Sequence, residues 1–319
     1  MNTYLKYKPV WYRIMVMISL IAGAYLIFAF FSLFLIRKMT GATIPELQSL
    51  DFTSPEMVSV QKILLLVQSL VLIIIPSLLY AYFADPHPTR FLRLDVKPRA
   101  WHLLVAAVIV LIAMPSAFWL GELNKQMDLS RSLPALDKWV RESETETNKL
   151  VEAIIGKQDL KNLLINMVLM ALLPAIGEEI LFRGLIQKGL IRVFRKVWPG
   201  ILVSAFIFSF IHFQFLTFLT RFELGIILGA LFWYSGSLWV PVLAHFVFNG
   251  IQVYAAYLQP EMKDAPDWSI SAGLVGGSFL VVLVLVIILR QTSTVNMYEV
   301  YDDEDDFGFE VGPKDEYLD

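Results

Sequence analysis

The chain has no cysteine. That excludes a disulfide framework, a thiolate nucleophile and any zinc site built on Cys ligands. Charge is scarce as well: 17% of the 319 residues are Asp, Glu, Lys or Arg, against about 25% in an average soluble domain. Only 4 histidines occur, and the net charge is -3. No basic surplus is available for a phosphate backbone, so a nucleic-acid partner is not expected. What fills the chain instead is apolar. Hydrophobic residues make up 57% of it, and the mean hydropathy is +0.61.

A membrane-spanning helix needs roughly 20 predominantly apolar residues. On that measure the sequence predicts an all-α polytopic membrane protein of about eight helices. The expected spans are Trp11–Ile36, Lys62–Phe83, Trp101–Leu120, Asn162–Gln187, Pro199–Leu219, Phe222–Tyr234, Leu238–Leu258 and Ala272–Leu289. The first follows a basic segment and is too long for a signal-peptide core, so it is expected to stay as an anchor. The sixth is short, with expected tight turns at Thr220-Arg221 and Ser235-Gly236-Ser237. Gly225 and Gly229 stand one turn apart in it, a small-xxx-small spacing that lets backbones approach. Three organisational pieces follow. Residues 1–160 hold N-terminal membrane helices and an outer loop, 161–290 a core, and 291–319 an acidic tail.

Basic residues cluster in alternate connections. Lys6, Lys8 and Arg13 lie at the N-terminus, Arg90, Arg93, Lys97 and Arg99 between spans two and three, and Lys188, Arg192, Arg195 and Lys196 between spans four and five. With an even number of spans, both termini are expected to be cytoplasmic. The loop from Glu122 to Lys161 then lies outside, and its Ser143-Glu144-Thr145-Glu146-Thr147 run is expected to open a short amphipathic helix. The tail from Glu299 to Asp319 carries ten acidic residues and is expected to stay disordered and solvated.

Polar groups at membrane depth cost at least about 2.5–3.5 kcal/mol each, and they usually mark function. Gly177-Glu178-Glu179-Ile180-Leu181-Phe182-Arg183 places two carboxylates and a guanidinium inside the fourth span. Glu179 and Arg183 are four apart and share a helix face. Glu178 is rotated off that face, and the residue four positions on is the apolar Phe182. Glu178 is thus the carboxylate that could point into a cavity and act as a base. Pro174 and Gly177 are expected to kink or loosen the helix beside it. His212 follows in Phe208-Ser209-Phe210-Ile211-His212, about two-thirds along the fifth span. His245 and Asn249, again four apart, follow in the seventh. A His with an Asn one turn away could bind a carbonyl, hold a water or donate to a developing oxyanion. At about 1.5 Å per residue, Glu178 is roughly 13 Å from the cytoplasmic end of its span, His212 roughly 18–20 Å, and His245 and Asn249 roughly 10–17 Å. These depths overlap enough for one cavity, nearer the cytoplasmic side.

The patterns Glu178-Glu179-x-x-x-Arg183, Phe208-x-x-x-His212 and His245-x-x-x-Asn249 occur in this order on successive segments. In this the sequence resembles the CAAX-protease and bacteriocin-processing family of intramembrane proteases, over roughly Leu163 to Tyr257. The resemblance implies an eight-helix fold and hydrolysis of a peptide bond within the membrane, on a membrane-anchored protein or peptide. It implies that Glu178 and His212 activate a water and that His245 and Asn249 steady the oxyanion. Glu179, Arg183 and Phe208 would support the site. Glu178, His212 and His245 could ligate zinc and leave one position open for water, or form a metal-free general-base site. Eukaryotic relatives cut prenylated C-terminal CAAX tails, and many bacterial ones are linked to bacteriocin processing or self-immunity. The expected location is a bacterial inner membrane.

Two readings from other classes compete with this. One is a catalytically idle membrane scaffold or regulator of the same fold. The other is a proton-coupled transporter using the same carboxylate and histidines as a relay, although no internal repeat of the kind such folds show is visible.

Overall fold

The structure is a computed structural model that describes residues 4–43, 45–127, 130–156, 159–258, 271–293 and 295. The protein is an all-α polytopic membrane protein, with no strand among the described residues. Among the described residues, seven helices are long and apolar enough to cross a membrane: Trp11–Thr40, Pro55–Ala84, Ala100–Lys125, Leu160–Phe194, Phe215–Ser235, Trp239–Leu258 and Ala272–Thr292. Val197–Phe210 is apolar but shorter. The expected disordered tail from Glu299 onward lies outside the described residues.

The chain divides into two compact units. The first comprises Met1–Pro86, Thr145–Glu178 and Asn249–Ala265. Within it, Met57, Val60 and Leu64 on the second spanning helix form a core with Phe28, Leu35, Ile36 and Phe52. That helix opens on a Ser54 N-cap followed by Pro55, an arrangement suited to a helix start. It widens into a π-turn at Ser69–Ile74. Gly177 faces this turn. A Cβ there would stand 3.0 Å from Ile74 Cγ1 and 3.2 Å from Ile73 Cγ2. The expectation that Gly177 loosens the helix is thus corrected: it permits a close crossing. Lys62 bonds Asn162, whose amide in turn donates to Ile155 O at 2.9 Å, so the lysine charge is dispersed into a polar knot.

The second unit comprises His87–Glu144, Glu179–Phe248 and Pro266–Asp319. Its third spanning helix breaks at Ala113, just ahead of Pro115, into Ala100–Ile112 and Met114–Lys125. Pro115 has no N–H to donate, which removes the helical bond to Leu111 O. The short connection after Ser235 turns on Gly236, at φ 67, a left-handed geometry that glycine adopts without strain. Arg93 Nε donates to Gly236 O at 2.9 Å and Ser237 Oγ to Val96 O at 2.7 Å. Part of the basic connection between spans two and three is therefore docked on this turn.

Four boundaries differ from expectation. Helix Val197–Phe210 stops nine residues short of Leu219, and the next helix runs Phe218–Ser235. The turn is at 211–217 rather than at Thr220-Arg221. It is fixed by tertiary bonds, because Asn124 Nδ2 donates to Phe215 O at 2.7 Å and Asn124 Oδ1 accepts from Leu219 N at 2.9 Å. The fourth spanning helix continues to Phe194. Lys188, expected in a loop, is instead buried with its Nζ on Phe91 O at 2.5 Å and 4.3 Å from the Phe91 ring centre. The amphipathic helix starts at Pro134, not at Ser143. Within it Glu144 is held above the usual carboxylate range, chiefly by burial and against the opposing pull of Arg221.

Candidate functional site

The 160–194 helix contains two π-turns, Met167–Leu172 and Phe182–Gln187. They flank the Leu173–Leu181 stretch that carries Glu178 and Glu179. A π-turn adds a residue to the helical circuit and often marks a functional site. The first one accommodates Pro174 without a break in the helix.

Arg183 Nη1 donates to Glu179 Oε1 at 2.9 Å, and both side chains are buried, at 1% and 0% exposure. His245 Nδ1 lies 2.9 Å from the same Oε1. A carboxylate oxygen can only accept, so Nδ1 carries the hydrogen, and in the neutral ring Nε2 is the accepting nitrogen. Glu179 therefore neutralises the arginine and also sets the tautomer and tilt of His245. Arg183 reaches further: its Nη2 donates to Gly225 O at 3.1 Å. One turn on, Gln187 Nε2 donates to Gly229 O at 3.1 Å. Glu179, Arg183 and Gln187 thus form a ladder at four-residue intervals along the glycine face of the 218–235 helix.

The glycines do more than allow packing, which was their expected role, because their carbonyls are the acceptors of the ladder. At Gly229 a Cβ would stand 2.7 Å from Gln187 Oε1 and 2.9 Å from Ile201 Cγ2. At Gly225 it would stand 2.8 Å from Ala205 Cβ. Gly229→Ala is expected to lower stability by about 1–3 kcal/mol through overpacking, read as thermal unfolding in detergent. A variant as stable as the parent would show that the ladder does not need that approach.

Phe208 is buried and sits among these groups. Its ring meets Phe182 and His212 at 5.1 Å and His245 at 5.8 Å, all edge-on. The Arg183 guanidinium lies 5.1 Å from its centre. Edge contacts and a cation over the ring are both favourable for an aromatic quadrupole. His212 does not lie two-thirds along a span. It lies just beyond the end of helix Val197–Phe210, where its Nδ1 donates to Phe208 O at 2.7 Å. That bond fills a carbonyl near the helix end and again leaves Nε2 as the accepting nitrogen.

The structure gathers Glu179, Arg183, Phe208, His212 and His245 in the second unit. Glu178 and Asn249 belong to the first. Both are half-buried, and each shares a helix with a member of the gathered set: Glu178 precedes Glu179, and Asn249 follows His245 by one turn. Because the helix extends to Phe194, Glu178 lies roughly 24 Å from that end, not 13 Å. Among the described residues, no three of the His, Asp and Glu side chains are grouped so as to hold a metal ion. No step is accordingly derived through zinc.

Gln187 was missed in the sequence. Its four-residue spacing from Arg183 was the available signal. Also missed was Glu223, a carboxyl inside the 218–235 helix that has no charged residue three or four positions on.

Residues 160–251 match the family model described as type II CAAX prenyl endopeptidase Rce1-like. A curated relative, the uncharacterized protein YpbD of Bacillus subtilis (strain 168), is 26% identical over 137 residues, which is 42% of this chain. The match spans 66% of that relative's own length. No solved structure matches the chain.

Proposed function

We propose that this chain, whose residues 160–251 match the family model described as type II CAAX prenyl endopeptidase Rce1-like, hydrolyses a peptide bond of a membrane-associated protein or peptide. The observation that carries the reading is the state of the two histidines. Each has Nδ1 engaged, on Phe208 O and on Glu179, which leaves Nε2 as a proton acceptor in the neutral ring. Glu178 is proposed as the base that takes a proton from water, with His212 Nε2 holding that water in place. Attack on the scissile carbonyl builds charge on its oxygen, which the Asn249 amide and His245 steady. His245 steadies that oxygen only in the form that carries a hydrogen on Nε2 as well as on Nδ1. Collapse of the intermediate returns the proton to the leaving amine.

Support for the membrane setting comes from the seven long apolar helices. Both termini are proposed to be cytoplasmic, in a bacterial inner membrane, with the shorter apolar helix Val197–Phe210 counted as an eighth crossing. A cysteine introduced at Glu142, in a chain with none of its own, is expected to react with an impermeant maleimide in intact cells. Reaction only after permeabilisation would reverse the topology.

The functional test is to reconstitute the purified chain in vesicles with a membrane-anchored peptide and follow both peptide mass and ion flux. A protease yields a cleaved peptide, a transporter yields coupled flux, and a scaffold yields neither. For the metal question, chelation that abolishes cleavage, with recovery on adding Zn²⁺, would replace the general-base step.

A further inference from the structure

Glu223 lies in the second unit with Ser116 on the Met114–Lys125 segment and Ser278 on the last spanning helix. Ser116 Oγ is 2.6 Å from Glu223 Oε1 and 2.8 Å from Ala113 O. Ser278 Oγ is 2.5 Å from Ile112 O and 3.1 Å from Ser116 Oγ. Glu223 Oε2 is buried and has no hydrogen-bond partner among the described residues. By helix rise the three side chains lie roughly 8–14 Å in from the ends at Phe218, Lys125 and Ala272. None of them takes part in the proposed reaction.

Hydrogens can be counted across these contacts. Four oxygen–oxygen approaches each need one hydrogen. The two serines bring one each, the two carbonyls bring none, and a carboxylate brings none. An ionised Glu223 would leave two of the four approaches without a hydrogen. It would also bury a charged oxygen, Oε2, facing no donor, which is costly. With a hydrogen on Oε1, the three shortest contacts are all satisfied. Glu223 donates to Ser116, Ser116 to Ala113 O, and Ser278 to Ile112 O. Only the 3.1 Å approach is left, and Oε2 becomes a neutral carbonyl oxygen.

Charged and titratable groups on the packed elements offer no alternative partner. Arg183 is paired with Glu179 and Gly225 O. Arg221 bonds Thr217 and Gln214, and Lys125 pairs with Glu122. His102, Tyr234 and Arg290 lie eleven or more residues away along their helices from Ser116, Glu223 and Ser278 respectively. Val197–Phe210 carries no charged residue.

We propose that Glu223, with Ser116 and Ser278, is an intramembrane proton-binding site, in which the neutral carboxyl latches the 218–235 helix to the broken third span, while Ser278 ties the last helix to the same span through Ile112 O. The ligand is a proton. When the site releases it, Ser116 must swing its hydrogen from Ala113 O to Glu223 Oε1. The Ala113 carbonyl then keeps only the Ala117 N–H at 2.9 Å, and the Glu223–Ser116–Ala113 chain is cut. The broken helix supplies the geometry. The two serines reach the carbonyls of Ala113 and Ile112, in the turn just before Pro115.

Infrared difference spectroscopy of the parent against Glu223→Gln tests this in bilayers at neutral pH. The parent is expected to show a carboxylic-acid C=O band that the variant lacks. Ser116→Ala, which keeps Glu223 but removes its acceptor, is expected to shift that band toward the frequency of a free acid. Glutamine mimics the neutral acid, so Glu223→Gln should fold and unfold thermally like the parent. If the intensity lost in Glu223→Gln falls in the carboxylate stretches instead, the site is ionised and the proposal fails. It fails equally if Ser116→Ala leaves an acid band unmoved, a reading that stands even if the glutamine variant cannot be purified.

Discussion

Glutamine in place of Glu178 is expected to lower cleavage by about 10²–10⁴-fold, the usual worth of a general base. The substitution keeps the side chain's length and its place on the 173–181 stretch, but removes the group that can take a proton from water. His212→Ala should lose activity comparably. It removes the Nε2 acceptor and also the 2.7 Å bond that Nδ1 makes to Phe208 O. The two changes together should cost little more than either alone, because groups that act on one water behave as a unit. Asn249→Ala should cost about 10²–10³-fold if its amide donates to the oxyanion. All are read as initial rates on a membrane-anchored peptide, with folding checked by thermal unfolding. The scaffold reading predicts no change in biological output from any of them. A folded Glu178→Gln protein cleaving at the parental rate would remove Glu178 from the mechanism.

Arg183→Ala is expected to cost about 3–5 kcal/mol of stability, the usual loss when one partner of a buried pair is removed. Glu179, with 0% of its side chain exposed, would then lose the guanidinium and keep only His245 Nδ1 at its Oε1, and Gly225 O would lose its donor. The 5.1 Å contact with the Phe208 ring goes too. Glu179→Gln should destabilise through the same pair, leaving the guanidinium uncompensated. A neutral double replacement, Glu179→Gln with Arg183→Met, should recover part of the loss, since neither charge is left alone. The check is thermal unfolding of all three in one detergent. Single variants as stable as the parent would mean that the ion pair does not hold this region together.

The contrast between what was legible and what was not follows helix geometry. Glu179 and Arg183, and His245 and Asn249, are each four apart within one helix, so a sequence pattern alone sets them on shared faces. That His245 turns to Glu179, sixty-six positions away, is a tertiary fact no period encodes. The same holds for Glu223, whose partner Ser116 is 107 positions distant. The end of the fifth apolar helix was illegible for another reason. The residues from Phe210 to Phe218 stay largely apolar and contain neither Gly nor Pro, so nothing local marks a turn. Phe213 nevertheless adopts φ 53, and Asn124, from a helix far upstream, bonds the turn on both sides. Lys188 was misread for the converse reason: a lysine usually signals a loop at the membrane face, but here a backbone carbonyl and an aromatic ring satisfy it inside the protein.

The central claim, that this chain cuts a protein in the membrane, is tested most directly by comparing membrane-protein termini in three cells by mass spectrometry. The first makes the parent chain, the second lacks it, and the third makes Glu178→Gln at equal abundance. The account predicts that one membrane-anchored protein ends in a new, shortened terminus in the first cell and persists uncut in the other two. Identical termini in all three cells, or the same shortened terminus with Glu178→Gln, would contradict it.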